Sequence, residues 1–330
     1  MIKLLGQINS DKDRTKKWIF EKENAGIIEI SLISTKTKDI VYVPTHYNCP
    51  LGCQNCNIQG ICSKGDLKPI DFQDLMDAID EMLLAGDKRQ TSNTNIIISF
   101  RGVGEPLLNM PLLDKMYNGQ YNLERLGYFN VGFEISTMMP NENLRILSQY
   151  IKSGKYPIRV IYRLSSPLDD KLNKLTPAST SSVDASLSYL KMFKDDVSTP
   201  EIRRLYRKVF GNKSPVEIFY SIIPEVNDSL FELANLQYFQ NRFAIPVVFL
   251  KNNAGEKAWV QDILKHYPEA NLSITSSYGR DIGCEHGEFD ERIYDNSNIP
   301  NKIASYEDIA NKYHDSKKST VKKVLNNKVV

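Results

Sequence analysis

Cys49-Pro-Leu-Gly-Cys53-Gln-Asn-Cys56 is a C-x3-C-x2-C triplet in a chain of 330 residues that contains five cysteines. Three thiolates on one short loop can hold three irons of a 4Fe–4S cluster and leave the fourth iron open. The triplet therefore predicts such a cluster on Cys49, Cys53 and Cys56. Two other interpretations stay open: a chance group of reduced cysteines, or a zinc knuckle completed by Cys62 or His46, since structural zinc sites close with four ligands.

The residues around the triplet predict alternating strands and helices. The run 38–44 reads as a short buried strand, and the run 72–83 has the apolar spacing of a helix, with Asp71 placed to cap it. Continued alternation implies an α/β fold with a parallel sheet and right-handed crossovers. The predicted strands lie near 40–44, 95–100, 128–136, 158–164, 216–223, 246–250 and 272–276, and the predicted helices near 71–85, 141–153, 180–194, 229–242 and 256–266, with an insertion without clear periodicity over 195–215.

A glycine-rich turn, Gly102-Val-Gly-Glu-Pro106, follows the strand predicted at 95–100. Glycine at the carboxyl end of a strand lets the backbone come close to a small polar ligand. The carboxylate of Glu105 can accept a hydrogen bond from the ammonium group of such a ligand. S-adenosylmethionine fits, because an open iron can chelate its amino and carboxylate groups and pass it one electron. The 5′-deoxyadenosyl radical released in this way attacks unactivated C–H bonds, which side chains alone cannot do.

Several motifs occur in the order in which one enzyme family carries them. The chain resembles radical S-adenosylmethionine (SAM) enzymes, and specifically the RlmN/Cfr family of RNA adenosine methyltransferases, from about residue 8 to about residue 290. The matching segments are the hairpin 13–33, Gly102-Val-Gly-Glu-Pro-Leu-Leu-Asn109 (G-M-G-E-P-L-L-N in the family), Glu134-Ile-Ser-Thr-Met-Met-Pro140 (V-T-x-S-T-S-G-x-x-P), Tyr162-Arg-Leu-Ser-Ser-Pro-Leu-Asp-Asp-Lys-Leu172 (I-S-L-H-A-P-x-D-x-L-R) and Pro224-Glu-Val-Asn-Asp-Ser229 (L-D-x-V-N-D-S).

The resemblance implies an open partial (β/α)6 barrel with a small N-terminal β-hairpin cap. The cap would take up residues 1–38 and the barrel residues 39–290. Residues 291–330 would form a basic extension, predicted to be helical, that is either a solvated helix or an arm that contacts phosphates.

The resemblance also implies which residues contact SAM. They are the turn at Gly104 and Glu105, together with Ser136, Ser165 and Asn227. The last three lie near the ends of predicted strands, where ligands collect in α/β folds. As single residues, Ser136 and Asn227 fit an ordinary turn or helix cap equally well.

The family uses two further cysteines, and only one of them is matched. Ser277-Tyr-Gly-Arg-Asp-Ile-Gly-Cys284 resembles the family's T-R-G-x-D-I-x-A-A-C, which makes Cys284 the candidate methyl carrier. The family's resolving cysteine lies seven residues before the first cluster cysteine, where this chain has Tyr42. A phenol cannot replace it, because it forms no disulfide. Cys62 either takes over this role or is a buried, inert cysteine.

Two other departures concern RNA and SAM binding. The match begins almost at the hairpin, so the family's N-terminal helical accessory domain is not predicted. Many radical enzymes carry an aromatic residue before the third cluster cysteine, where this chain has Asn55. The stretch Arg203-Arg-Leu-Tyr-Arg-Lys208 combines cations with an aromatic residue. An amphipathic helix with a solvated basic face is the preferred interpretation, and nucleic-acid contact the other.

Composition predicts a protein without a membrane span. Hydrophobic residues make up 41% and charged residues 25% of the chain, and neither a long apolar run nor a signal-peptide pattern is present. Cysteines concentrated on one loop argue against a disulfide scaffold and for a reducing compartment, so we expect a cytoplasmic protein. The net charge of +2 is too small to establish nucleic-acid binding.

The sequence therefore predicts a radical SAM enzyme that modifies a carbon of an adenine-type base in RNA or a nucleotide, by methylation or a related transfer through Cys284. An electron donor such as flavodoxin or ferredoxin would be its partner. One alternative is hydrogen abstraction from a peptide, nucleotide or glycyl-radical protein without methyl transfer. Another is a cluster-binding protein without catalysis. Nothing in the sequence predicts the oligomeric state.

Overall fold

The structure is a computed structural model that describes most of the chain up to residue 250 and a few residues beyond it. Its ten described strands form one continuous sheet, in which the spatial order of the strands is their order in the sequence. None of the helices within the described residues is both long enough and apolar enough to cross a lipid bilayer. The described residues are 1–53, 56, 67–85, 93–119, 123, 126–153, 155–179, 181–221, 226–250, 273–275, 278–279, 282 and 284.

Three antiparallel strands at the N-terminus extend the edge of the main sheet. They are β1 (Ile2–Asn9), β2 (Thr15–Lys22) and β3 (Gly26–Ser34), and β3 continues into the main sheet by antiparallel pairing with the next strand. β1 is the outermost strand, and its register with β2 shifts between Leu4 and Gly6. This shift is a β-bulge, in which the outer strand has one residue more than its partner.

The other strands are parallel to one another, and each of them lies where a strand is predicted from the sequence. Their ends differ from the predicted ends by a few residues. The parallel sheet of the predicted α/β class is therefore confirmed. The strands are β4 (Asp39–Val43), β5 (Asn95–Phe100), β6 (Asn130–Thr137), β7 (Ile158–Leu164), β8 (Val216–Ser221), β9 (Val247–Leu250) and β10 (Ser273–Thr275).

The described helices follow the strands along the chain. The helices predicted near 71–85, 141–153, 180–194 and 229–242 are present, whereas the helix predicted near 256–266 lies outside the described residues. Of three other helices, one covers the stretch 203–208, for which an amphipathic helix was the preferred interpretation, and the other two were not predicted. In chain order the helices are α1 (Phe72–Ala85), α2 (Met110–Asn118), α3 (Asn143–Lys152), α4 (Asp169–Leu175), α5 (Val183–Asp196), α6 (Pro200–Phe210) and α7 (Leu230–Phe243), with a short 3-10 helix at Pro106–Leu108 before α2.

Helix α6 overturns the prediction of an insertion without periodicity over 195–215. Its buried residues Ile202, Tyr206 and Val209 recur at helical spacing. The helix also has clear start signals, because the Thr199 side chain accepts a hydrogen bond from the Ile202 amide and Pro200 occupies the first helical position.

The helix caps settle another open point. The Asp71 side chain accepts a hydrogen bond from the Asp74 amide at 3.0 Å, which confirms it as the cap of α1. At the start of α7 the capping side chain is Ser229, which accepts from the Glu232 amide at 3.3 Å. The alternative interpretation of Asn227 as the cap of this helix is therefore wrong.

One face of the parallel sheet forms the main hydrophobic core with the helices. Val41, Ile98, Phe133 and Ile158 are neighbours in register across β4 to β7, and all four are buried in this core. Parallel strands are covered by helices in this way because the crossover connections lie on the faces of the sheet. This apolar layer holds the carboxyl ends of the strands in a fixed order.

Candidate active site

Apart from Cys284, the predicted site residues lie at the carboxyl ends of the parallel strands. β4, β5 and β6 end at Val43, Phe100 and Thr137, and the cysteine loop and the glycine-rich turn follow directly after β4 and β5. Because parallel strands all end at the same edge, loops that are distant in sequence meet there. The loop that carries the cysteine triplet and the glycine-rich turn therefore lie at this edge of the sheet.

The cysteine triplet forms a compact loop. The Cys56 amide donates to the Cys53 carbonyl at 3.1 Å, and Cys49 and Cys56 pack against a small apolar cluster that includes Val103. Burial raises the pKa of the Cys53 thiol to about 12, and the nearby Cys49 and Cys56 thiols contribute in the same direction. Three thiolates that repel one another in a partly buried loop suit a cationic iron cluster, which would remove this penalty.

A site for one metal ion is not formed in the described part of the chain. No group of three or more His, Cys, Asp or Glu side chains there is arranged to hold a single ion. The His46 ring lies 2.9 Å from the Thr45 hydroxyl through its Nδ1 atom, and burial lowers its pKa to about 4. Cys62 lies outside the described residues. In a 4Fe–4S cluster each cysteine binds a different iron, so the three sulfurs need not surround one point.

Glu105 joins the ends of two neighbouring strands. Its carboxylate accepts hydrogen bonds from the Thr137 hydroxyl at 2.6 Å, the Met138 amide at 2.9 Å and the Leu107 amide at 3.2 Å. Complete burial raises its pKa to about 7 in spite of these donors. A carboxylate has about four lone-pair sites, so one more donor, such as an ammonium group, can still be accepted.

Gly104 allows this turn to pass close to the cysteine loop. Its φ of +101° is disfavoured for residues with a side chain, and a Cβ atom added there would lie 2.4 Å from the His46 ring. The turn also hydrogen-bonds to the segment before the cysteines, because the Val103 carbonyl accepts from the amides of Thr45 and His46. Glycine is therefore required here by a contact within the protein, in addition to any role towards a ligand.

Ser136, Ser165 and Asn227 are all buried, but their side chains differ in how they are bonded. The Ser136 hydroxyl has no hydrogen-bond partner among the described residues. The Asn227 amide donates to the carbonyls of Ser165 at 2.7 Å and Ser221 at 2.9 Å, so it braces the ends of β7 and β8. A buried hydroxyl without a partner is costly, so Ser136 is the one of the three whose side chain most suits a bound polar ligand.

Thr176 connects the cysteine loop to Ser165, and the sequence did not predict a role for it. Its hydroxyl hydrogen-bonds to the Cys53 thiol and lies 3.5 Å from the Ser165 hydroxyl. Two residues later, the Ala178 amide donates to the Leu51 carbonyl at 3.4 Å. The segment after α4 therefore supports the cysteine loop. No motif marks Thr176 in the sequence, because its contacts with Cys53 and Ser165 depend on the tertiary fold.

Cys284 lies against the N-terminal strands. Its sulfur is 3.0 Å from the Ser31 hydroxyl of β3. Burial raises the pKa of the thiol to about 11, although the nearby Lys17 ammonium acts in the opposite direction. The segment is fixed by the Gly279 amide, which donates to the Asp13 carboxylate at 2.8 Å.

Tyr42 is the direct cross-strand neighbour of Ser31, so it lies beside the residue that contacts Cys284. Its hydroxyl accepts a hydrogen bond from the Arg101 guanidinium at 2.9 Å, and the same guanidinium covers its ring at 4.6 Å from the centroid. Where the family carries a thiol, this chain therefore has an aromatic residue fixed by an arginine.

Polar residues form a continuous row across the sheet face opposite the main core. Glu134 is central, since it accepts from Ser99 at 2.9 Å, Arg101 at 3.2 Å and Arg159 at 2.5 Å. Burial alone would raise its pKa, but the charges of Arg159 and Arg101 lower it to about 2. Arg159 also pairs with Glu217. The row in register is Lys17, Ser31, Tyr42, Ser99, Glu134 and Arg159.

Comparisons with known proteins find the same relatives that the motifs indicate. A probable dual-specificity RNA methyltransferase RlmN from Chlorobium phaeovibrioides is 23% identical over 295 residues, which is 86% of this chain and 74% of that protein. Another from Dictyoglomus turgidum is 34% identical over 95 residues, covering 29% of this chain and 26% of that protein. The chain is similar to RlmN methyltransferases along most of its length. No family model matches it.

The fold has a solved counterpart. A radical SAM methyltransferase from Sphaerobacter thermophilus superposes with a TM-score of 0.67 at 16% identity, covering 87% of this chain and 80% of that one. This likeness confirms the predicted partial-barrel fold. The sequence comparisons confirm the predicted resemblance to the RlmN/Cfr family and the prediction that the chain is an enzyme.

Proposed function

We propose that the chain is a radical SAM enzyme whose Cys49, Cys53 and Cys56 hold a 4Fe–4S cluster. When bound, this cluster would supply the electron that cleaves SAM to a 5′-deoxyadenosyl radical. The observation that carries the proposal is the contact of the Cys53 thiol with Thr176, which lies beside Ser165 at the carboxyl edge of the sheet, near enough to Glu105 for its charge to act on the thiol. Low-potential electron donors such as flavodoxin or ferredoxin suit this chemistry.

The side chains around the loop would bind the polar groups of SAM. The Glu105 carboxylate would accept a hydrogen bond from the ammonium group, and this cation would lower the raised pKa of Glu105. The buried Ser136 hydroxyl would gain a partner. Asn227 would act by holding the ends of β7 and β8 together, since its amide hydrogens already bind backbone carbonyls.

The proposed reaction is methylation, or a related transfer, at a carbon of an adenine-type base in RNA or a nucleotide, with Cys284 as the methyl carrier. Relatives named RNA methyltransferases support this substrate class. The buried Cys284 thiol would become a nucleophile only as a thiolate. Ser31, at hydrogen-bond distance, and the Lys17 ammonium both stabilise that form.

A second candidate function is hydrogen abstraction without methyl transfer. It is favoured by Tyr42 and Arg101, because the residue beside Ser31 is an arginine-bound phenol that cannot form a disulfide with Cys284. The two functions differ in their products. Methyl transfer yields S-adenosylhomocysteine together with 5′-deoxyadenosine, whereas abstraction yields 5′-deoxyadenosine alone.

We propose a division of the chain into three segments. Residues 1–38 would form the cap that presents Ser31 to Cys284, residues 39–290 would form the catalytic barrel, and residues 291–330 would be an accessory extension. A cytoplasmic location fits an oxygen-sensitive cluster.

The test is an anaerobic reconstitution with iron and sulfide, followed by SAM and dithionite. We expect a 4Fe–4S absorption spectrum, 5′-deoxyadenosine, and a methyl-sized mass increase that maps to Cys284. Two alanine variants separate the steps. Cys49→Ala should lose the cluster and both nucleoside products. Cys284→Ala should keep the cluster and 5′-deoxyadenosine formation, and should lose the protein methylation together with S-adenosylhomocysteine, because Cys284 is the proposed methyl acceptor. Formation of 5′-deoxyadenosine with unmodified wild-type Cys284 would favour abstraction, and failure to bind iron would overturn the whole proposal.

A further inference from the structure

Helix α6 carries a concentration of exposed positive charge that the proposed active site does not use. Arg203, Arg204, Arg207 and Lys208 are all exposed, and Glu201 is the one acidic residue of the helix. The whole chain has a net charge of only +2. With four exposed cations and one acidic residue, the solvent-facing side of α6 is positively charged.

This arrangement costs the helix stability. Arg203 with Arg207, and Arg204 with Lys208, are like charges four residues apart on the same side, and such pairs destabilise a helix. Only Arg207 and Lys208, in the last turn, are favoured by the helix dipole. No ion pair involves any of these four side chains in the described part of the chain. A polyanion would remove this unfavourable repulsion.

The surroundings of α6 add to the charge and supply an aromatic ring. The Lys208 carbonyl accepts a hydrogen bond from Asn95, which in turn accepts one from Asn130. The residue before Asn130 is Phe129, which is 67% exposed. Beyond the end of the helix, the Lys213 side chain is exposed as well. Positive charge therefore extends past the helix.

We propose that this basic face, formed by the exposed side chains of α6 together with Phe129, binds the backbone of single-stranded RNA. Regularly spaced cations neutralise successive phosphates, and an exposed ring offers a surface on which an unpaired base stacks. The inference rests on the proposed function, since it gives the substrate class of that function a second contact surface. This surface lies at the amino edge of the sheet, opposite the cysteine loop.

RNA fits better than an anionic membrane. A helix that lies in a bilayer surface inserts its apolar side between the lipids. The apolar side of α6 is buried within the protein. There Tyr206 donates a hydrogen bond to the Ile158 carbonyl, and Val209 and Phe210 pack over Gly132. Only the charged side remains for a partner. Tyr206, the aromatic residue within the basic stretch, is therefore not the stacking residue.

The test measures binding of a fluorescent single-stranded RNA to the full chain by anisotropy at several salt concentrations. The double variant Arg203→Gln/Arg207→Gln should bind roughly tenfold more weakly near 0.1 M salt, and the slope of log K against log salt should fall by about 1.4, or about 0.7 for each lost phosphate contact. The matched control Lys3→Gln/Lys174→Gln removes two exposed cations elsewhere and should leave both values unchanged.

A second variant tests the ring. Phe129→Ala should weaken binding by several fold without changing the salt slope, because stacking releases no counterions.

Three outcomes would each overturn the inference. They are wild-type RNA affinity in the α6 variant, an equal loss of affinity in the control, and preference of the wild type for anionic vesicles or an acidic protein over RNA. Formation of 5′-deoxyadenosine without RNA is measured in parallel. RNA binding through α6 without SAM cleavage would contradict the proposed function and leave this inference standing. SAM cleavage without RNA binding would contradict this inference and leave the radical SAM chemistry standing.

Discussion

The two faces of the parallel sheet are held by different forces. On the helix-covered face, residues such as Val41, Ile98 and Phe133 are stabilised by removal of apolar area from water, a force without direction. On the opposite face, Glu134 and Arg159 are buried too, but they are fixed by hydrogen bonds of defined length and angle. The comparison teaches that one face supplies most of the stability while the other fixes positions near the site.

The largest effect is expected from Arg159→Met. The substitution removes the guanidinium that contacts both Glu134 and Glu217, and leaves these buried carboxylates short of a counter-charge. Breaking a buried ion network in this way costs about 3–5 kcal/mol. Urea denaturation measures the loss. The control Arg203→Met removes an exposed arginine and should change stability by less than about 0.5 kcal/mol. Equal losses in the two variants would show that the polar face is not stabilised by its charges.

On the apolar face, Ile98→Ala should cost about 3 kcal/mol and Ile98→Val about 1 kcal/mol, because the loss follows the buried volume removed. The same denaturation curves give both values. If the two substitutions destabilised the protein equally, graded packing would not describe this face.

The polar face should also depend on pH. The pKa of Glu134 is lowered in the fold from 4.5 to about 2, so its contribution is complete above pH 4.5 and is lost as the pH falls towards 2. This loss is on the order of 2–3 kcal/mol. Unfolding followed between pH 6 and pH 2.5 should show a drop that Glu134→Gln reduces. If the stability of the wild type and that of the Glu134→Gln variant fell in parallel with pH, the acid sensitivity would come from other carboxylates.

The smallest effect is expected at Tyr42. Tyr42→Phe removes one hydrogen bond from Arg101 and should cost about 1 kcal/mol, with 5′-deoxyadenosine formation unchanged. Product analysis by mass spectrometry checks the second part. Loss of 5′-deoxyadenosine in the phenylalanine variant would mean that the hydroxyl itself takes part in the reaction.

The strands and the carboxyl-edge site were predictable because they depend on local sequence. Apolar β-branched runs such as 95–100 and turn residues such as Gly104 report on their own neighbourhood. The start signals of α6 at Thr199 and Pro200 were also local. The basic stretch 203–208 was interpreted as an amphipathic helix, but the bounds of this helix were not predicted.

The polar row and the Cys284 contact could not be predicted from one sequence. Ser31 and Cys284 are 253 residues apart, and nothing local to either residue indicates the other. Glu134 and Arg159 meet because β6 and β7 pair in one register, and a shift of one residue would turn them to opposite faces. Such contacts depend on the tertiary fold.

The bulge in β1 has a consequence for how copies of the protein behave towards each other. A long outer strand exposes unpaired amide and carbonyl groups that a strand of another chain can join. The extra residue between Leu4 and Gly6 bends this strand and interrupts its row of donors and acceptors, and Lys3 adds an exposed charge beside it. At this end the sheet is therefore protected against edge-to-edge aggregation by a single inserted residue.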